Sequence, residues 1–246
     1  ADDGDHPEAR LRDQERLVAD VMRSTLSALG ADARPGWKDG ERIQRVDRHH
    51  RAVTERFTRN LEDLRRLVAA APAPRPLLLI AEVPANLLDP PMLALHDPGL
   101  GASDLDRWTG LMDRGETLME EGSPGAAARV FREAAQLDPV HAMAHHRLGR
   151  ALLAAGDRRG AARALSNALE MDMDPGRPVA AINGAVRDLA REGGVILVDL
   201  EPVFGVRENP AASTEMFHDA CHLTQRGYDL LAGQVAAVLL ENLPTK

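Results

Sequence analysis

"WTGLMDRGETLMEEGSPGAAARVFREAAQLDP", Trp108 to Pro139, overlays "AMAHHRLGRALLAAGDRRGAARALSNALEMDMD", Ala142 to Asp174, in a constant register. Gly115 falls on Gly149, Leu118 on Leu152, Ala127 on Ala161, Phe131 on Leu165 and Ala134 on Ala168, each pair 34 residues apart. The small residues let two helices approach closely and the large ones fill the groove between them. Residues 100–175 are therefore expected to form an all-helical array of two units.

This spacing resembles the tetratricopeptide repeat (TPR). The first unit opens with Trp108 and ends at Pro139; in the second, Met173 stands in that place and the proline comes later, at Pro175. Two units fall short of the roughly three that a self-supporting solenoid needs, so the pair must lean on the rest of the chain or on a partner. Two roles stay open: recognition of a protein or peptide on the concave face, or a structural insertion that shapes the rim of a site. His141 and His145, four apart on one helix face, have the spacing of a metal pair. Packing is the preferred reading, because position 145 falls on the helix-pairing face.

Upstream of the repeats, the period changes in "APAPRPLLLIAEVPANLLDPP", Ala71 to Pro91. Leu77 to Val83 reads as a buried strand of parallel type, and "GVILVDL", Gly194 to Leu200, as a second. A helix from Val179 to Glu192, with Ile182, Val186 and Leu189 on one side, precedes the second strand. Helix-then-strand order implies an α/β fold with a doubly wound parallel sheet, whose sites gather at the carboxyl ends of strands, here Pro84 to Asp89 and Asp199 to Phe204. Two further helices are expected before the first strand. One runs from Pro7 to Gly30, followed by a turn at Pro35-Gly36; the other, long and charged, carries Val53, Phe57, Leu61 and Leu64 on one face. His49 and His50 on it are adjacent, so their rings diverge and a solvated or packing role is expected. The chain is thus expected in three parts: 1–99, helices and first strand; 100–175, repeats; 176–246, helix, strand and terminal helix.

The last part carries "FHDACHLTQRGYDLLAGQVAAVLL", Phe217 to Leu240. Thr224 is placed to cap the final helix. Asp219 and His222, three apart, share one side of a near-helical turn, so the carboxylate can accept the imidazole Nδ1 proton and leave Nε2 as a general base. The competing reading is a capping aspartate beside a surface histidine. The block "D-x-x-H-L-T-x-x-G-Y-x-x-L-A" resembles the terminal motif of the SGNH (GDSL-type) hydrolases, and "VPANLLDPP", the repeats and "GVILVDLEPVF" together resemble a subgroup with a repeat insertion. The resemblance extends over about Arg42 to Leu243. It implies an SGNH-type doubly wound sheet with an inserted TPR helical array, an acyl ester as substrate, often of a carbohydrate or lipid, and Asp219 and His222 as two members of a Ser-His-Asp triad.

The family's Gly-Asp-Ser nucleophile block, its glycine block and its Gly-x-Asn-Asp/Glu block are missing from this sequence. "GASD" at Gly101 to Asp104 follows a loop rather than a strand, which argues against Ser103 as nucleophile. Asn86 follows a strand and is a candidate substrate contact, Cys221 reads as packing, and of two roles open to Arg177 and Glu201, substrate contact or surface ion pairs, the second is preferred. Two parallel strands alone would expose apolar edges. The expectation is therefore that the nucleophile and first strands lie outside these residues, in a missing N-terminal segment or a second chain, and that the chain alone is nearly inactive. The alternative is a non-catalytic TPR interaction module on a degenerate hydrolase scaffold.

Composition bounds these readings. The 246 residues are 44% apolar but only 3% aromatic, which suggests a largely helical, aliphatic protein. A net charge of −8 argues against nucleic acid as the main partner, and no stretch is apolar for long enough to span a bilayer. One cysteine excludes an internal disulfide or a multi-cysteine zinc site. No cofactor and no metal are assigned.

Overall fold

The computed structural model describes residues 44–72, 76–82 and 84–243, with side chains from Arg51 onward. The helix expected at Pro7 to Gly30, the turn at Pro35-Gly36 and the side chains of His49 and His50 lie outside the described residues. The long charged helix forms as α1, Gln44–Ala70. It packs along a helix nearer the C-terminus, α6, Ala180–Glu192, where Arg65 donates to the Gly193 carbonyl at 3.5 Å and pairs with Glu192 at 3.4 Å. Its apolar stripe is only partly covered, since Val53, Leu64 and Leu67 remain exposed.

The repeats fold as four helices in the expected register: α2, Ala102–Glu120; α3, Pro124–Leu137; α4, Ala142–Ala154; and α5, Arg158–Glu170. Gly115 lies against the Phe131 ring, and a Cβ on Gly149 would meet Leu165 Cγ at 2.5 Å, so each unit uses one glycine to bring its two helices together. The turns repeat as well. Gly122 and Gly156 both take left-handed backbone, with φ of 71° and 87°, where a side chain would be strained. Phe131, Ala127, Ala151 and Ala161 are fully buried in the resulting core. Burying a side chain such as Phe131 contributes about 1.5–3 kcal/mol.

The two strands are shorter than the apolar runs suggested: β1, Leu79–Glu82, and β2, Ile196–Asp199, pair in parallel with Leu79 opposite Ile196 and Glu82 opposite Asp199. They are the two strands among the described residues. Continuous apolar runs predict cover on both faces, yet within the two strands only Glu82 and Val198 are fully buried. The reason is width: a two-stranded ribbon leaves an open edge on each side and has little face for helices to cover. The chain is thus mostly helical with a small parallel sheet, rather than a complete doubly wound layer.

After β2 come α7, Glu201–Phe204, a 3-10 turn at Pro210–Ala212, α8, Ser213–Met216, and α9, Gln225–Asn242. Val198, Leu200, Phe204, Val206, Met216, Phe217 and Leu223 form a second core, against which Leu231 and Val235 of α9 pack.

The repeats do lean on the rest of the chain, through the segment that links β1 to α2. Asp138 and Asp172 occupy equivalent places 34 residues apart, at the ends of α3 and α5, and both are fully buried. Asp172 accepts from the backbone N–H of Met92 at 2.9 Å and of Leu93 at 3.0 Å. Asp138 accepts from the Asp97 N–H at 3.4 Å and bonds His96 Nδ1 at 2.7 Å. Between them, His146 Nε2 donates to the Leu88 carbonyl at 3.0 Å. The strap from Asn86 to Asp97 therefore lies along one edge of the repeat pair and closes it. Without it, buried Asp138 would lose the Asp97 N–H and buried Asp172 the N–H groups of Met92 and Leu93, keeping that of Asp174 at 3.1 Å.

Candidate functional site

The strap also reaches the C-terminal turn. Asn86, 7% exposed, donates from Nδ2 to the Asp219 carbonyl at 2.8 Å and accepts from the Leu88 N–H at 3.0 Å. Arg177 holds the strap from the other side, donating to the carbonyls of Asn86 at 2.6 Å, Asp89 at 2.7 Å and Pro90 at 3.3 Å, with Asp172 at 3.6 Å. The expectation that Arg177 makes a surface ion pair is corrected. It is 5% exposed, and burial lowers its pKa against the pull of Asp172 and Asp89. A guanidinium stays charged even so, and three carbonyls replace the water it has lost.

The terminal turn is closed by its own backbone. His218 N–H donates to the His222 carbonyl at 2.8 Å, Thr224 N–H to the Met216 carbonyl at 2.9 Å, and Phe217 bridges Leu223. Thr224 caps α9 as expected, accepting from Gly227 N–H at 3.2 Å. Gly227 is required there, since a Cβ would come within 2.5 Å of the Met216 carbonyl oxygen.

Asp219 and His222 are brought together. His222 Nδ1 lies 2.8 Å from Asp219 Oδ2 and 3.0 Å from Oδ1. Oδ1 also accepts from the backbone N–H of His222 at 2.9 Å and of Cys221 at 3.0 Å. Those two amides, with the imidazole, hold the Asp219 pKa down at about 2. The carboxylate is thus both a local cap and the partner of the ring, so the two competing sequence readings describe one geometry. The pair is open to solvent, with side chains 73% and 55% exposed. Cys221 departs from its packing role: it is exposed, with Sγ 3.8 Å from His222 Nδ1. Asp219, Cys221 and His222 place a carboxylate, a thiol and an imidazole within 4.8 Å of one another, the one such group among the described residues.

Sequence reasoning missed a buried acid. Glu82, at the carboxyl end of β1, is fully buried and bonds Arg187 of α6; Arg187 is 3.6 Å from Glu201, which pairs with Arg207 at 2.5 Å. Burial raises the Glu82 pKa in spite of Arg187. Glu201 is therefore an ion-pair residue, as expected, but in a half-buried network across β1, α6 and α7 rather than on the open surface. The signal was an acidic residue inside an apolar strand run, which calls for a cation from a neighbouring helix.

Of the repeat histidines, His141 packs as expected and the placing of His145 is corrected. His141 precedes α4 and is buried against Trp108 and His96, with ring centroids 4.4 and 4.3 Å away. His145 does not sit on the pairing face. It is half-buried and bonds the Pro139 carbonyl at 2.8 Å, while His146 takes the buried place. Burial lowers both His141 and His146 to about 4, which makes them neutral packing groups at pH 7.

Ser103 lies in the exposed first turn of α2. Among the described residues no helix is long and apolar enough to cross a membrane. No curated protein and no solved structure matches the chain. The tetratricopeptide repeat family matches residues 118–182, which takes in the end of α2, all of α3 to α5 and the start of α6. The 34-residue register, the two glycine-mediated helix pairs and this match agree: the chain contains a tetratricopeptide repeat segment.

Proposed function

We propose that the chain is a protein-interaction module whose working part is the tetratricopeptide pair. The observation that carries this reading is the well-packed four-helix array of α2 to α5, within the segment that the repeat family matches. The strap and Arg177 act as its scaffold, which lets two units hold a shape that elsewhere takes three. The test is photo-crosslinking in the producing cell, with benzoylphenylalanine at exposed Gln136 or Asn167 of the repeats, or at exposed Ala237 of α9 as control. One recurrent protein captured from both repeat positions, and not from Ala237, is the expected outcome. Capture from Ala237 alone, or from no position, would contradict the reading.

A second reading is favoured by one geometry, the Asp219–His222 pair. The motif around it resembles the terminal block of SGNH-type hydrolases, and its arrangement suits a general base oriented by a carboxylate. Asp219 fixes the Nδ1–H tautomer and leaves Nε2 free to take a proton from a serine hydroxyl. The serine would attack an acyl ester to give an acyl-enzyme, with the proton passing from His222 to the leaving alcohol; water would then release the acid. Serine and oxyanion donors would come from a preceding segment or a second chain that completes the sheet at its open edge. Asn86 would act on the pair by holding the Asp219 carbonyl. Fluorophosphonate labelling and ester hydrolysis test this: the 246 residues alone should take no label, and any complete form should lose turnover on His222→Ala. Labelling of a serine that survives His222→Ala at full turnover would end the reading.

A further inference from the structure

The repeat segment differs in charge from the rest of the chain. Residues 124–170 carry seven arginines and no lysine against four acidic residues, in a protein whose net charge is −8. One of those acids, Asp138, is buried on the strap. A cationic face on an acidic protein favours negatively charged partners and speeds their encounter.

Two of the arginines line a groove of about 250 Å³ between α3 and α5, with α4 as its floor. Its walls share one pattern. Arg132 and Gln136 lie four apart on α3, and Arg163 and Asn167 four apart on α5, so each wall presents a guanidinium and a carboxamide on a single helix face. All four are exposed. Among the described residues no ion pair or side-chain hydrogen bond engages any of them, in contrast to Arg147 on another face of α4, which pairs with Glu116 of α2 at 2.6 Å. The floor includes Leu148 and Leu152. Asp157, at one end, has a carboxylate oxygen committed to the Gly160 N–H at 2.8 Å.

The walls offer donors and positive charge, and the floor offers leucines. The volume falls below the range of about 300–1,000 Å³ usual for small-molecule pockets and suits side chains reaching in from a peptide. We propose that this groove docks an acidic protein segment, with carboxylates on Arg132 and Arg163 and an intervening apolar side chain over Leu148 and Leu152. The assignment rests on the protein-interaction reading and gives it a location and a ligand chemistry.

The experiment selects a displayed library of random peptides against the full chain and against Arg132→Glu/Arg163→Glu, with Arg150→Glu as a control on another face of α4. All three arginines are exposed, so circular dichroism melting should be the same for every variant. The parent should enrich peptides with Asp or Glu flanking Leu, Ile or Phe. Their affinity should fall at least about tenfold in the double variant and fall as salt rises, and the double variant should select Lys- or Arg-bearing peptides instead. If enriched peptides tolerate the double substitution but not Arg150→Glu, the groove assignment is overturned while the interaction reading stands. If nothing is enriched over a scrambled library, both fall.

Discussion

The repeat pair and the layer that carries the Asp219–His222 turn are both rich in aliphatic residues, and they leave different shares of them open to solvent. In the repeats, Phe131, Ala127, Ala134, Ala151 and Ala161 reach zero exposure. In the layer, Val198, Leu200 and Val206 lie as deep, but the two four-residue strands stay largely half-exposed, and Leu240 and Leu243 of the terminal segment face solvent. The difference follows from contact range. A repeat buries its core among helices adjacent in sequence, so 34 residues are enough to state the packing. A parallel sheet needs strands from distant parts of a chain, and among the described residues it has two. The repeats need only a short strap to finish their packing, whereas among the described residues the layer has open edges on which further structure could build.

That contrast can be broken most strongly in the repeat core. Phe131→Ala should cost about 4 kcal/mol of unfolding free energy, read from urea titration, while Leu240→Ala should leave the midpoint nearly unchanged. Equal effects would mean that the two regions are not packed differently. Next in size is Arg177→Met, which removes the guanidinium beside buried Asp172 and the donor to three strap carbonyls; a loss of about 3 kcal/mol is expected. Faster hydrogen exchange at the Met92 and Leu93 amides should accompany it, and unchanged exchange there would show that the strap is held by other contacts.

A smaller effect separates the regions by pH. His141 and His146 titrate near 4 in the folded state and near 6.5 when unfolded, so the unfolded chain binds more protons between those values. Stability should therefore fall as pH drops from about 6.5 towards 4, by about 2 kcal/mol for each histidine at pH 5 relative to pH 8. His146→Gln keeps a donor for the Leu88 carbonyl and should remove about half of that slope. Asp219 works in the other acidic range: its depressed pKa contributes stability above the unfolded value near 4, lost as pH falls through about 2. The smallest effect belongs to His222→Ala, which should leave the urea midpoint unchanged because the ring is mostly exposed. A large loss of stability there would make the histidine a structural group.

The legibility of the sequence follows the same division. The repeat helices, the glycine contacts at Gly115 and Gly149 and the Thr224 cap are local, and each could be read from spacing. The contact between Asp219 and His222 could be read for the same reason. Arg177 could not, because its partners are carbonyls of Asn86, Asp89 and Pro90 far back in the chain, and no side-chain pattern announces a backbone acceptor. The strap leaves one trace in the sequence: Asp138 and Asp172 obey the repeat period, and a repeated buried aspartate at a helix end asks for a repeated donor. His145 and His146 show the limit of periodicity, since one position along a helix decides which ring is buried.

The most direct test of the account is hydrogen–deuterium exchange on the full chain with and without the protein captured by photo-crosslinking at Gln136 and Asn167. The account predicts protection concentrated in α2 to α5, with the turn from Phe217 to Thr224 unchanged. Protection centred on that turn, with none in the repeats, would contradict it and move the function to Asp219 and His222.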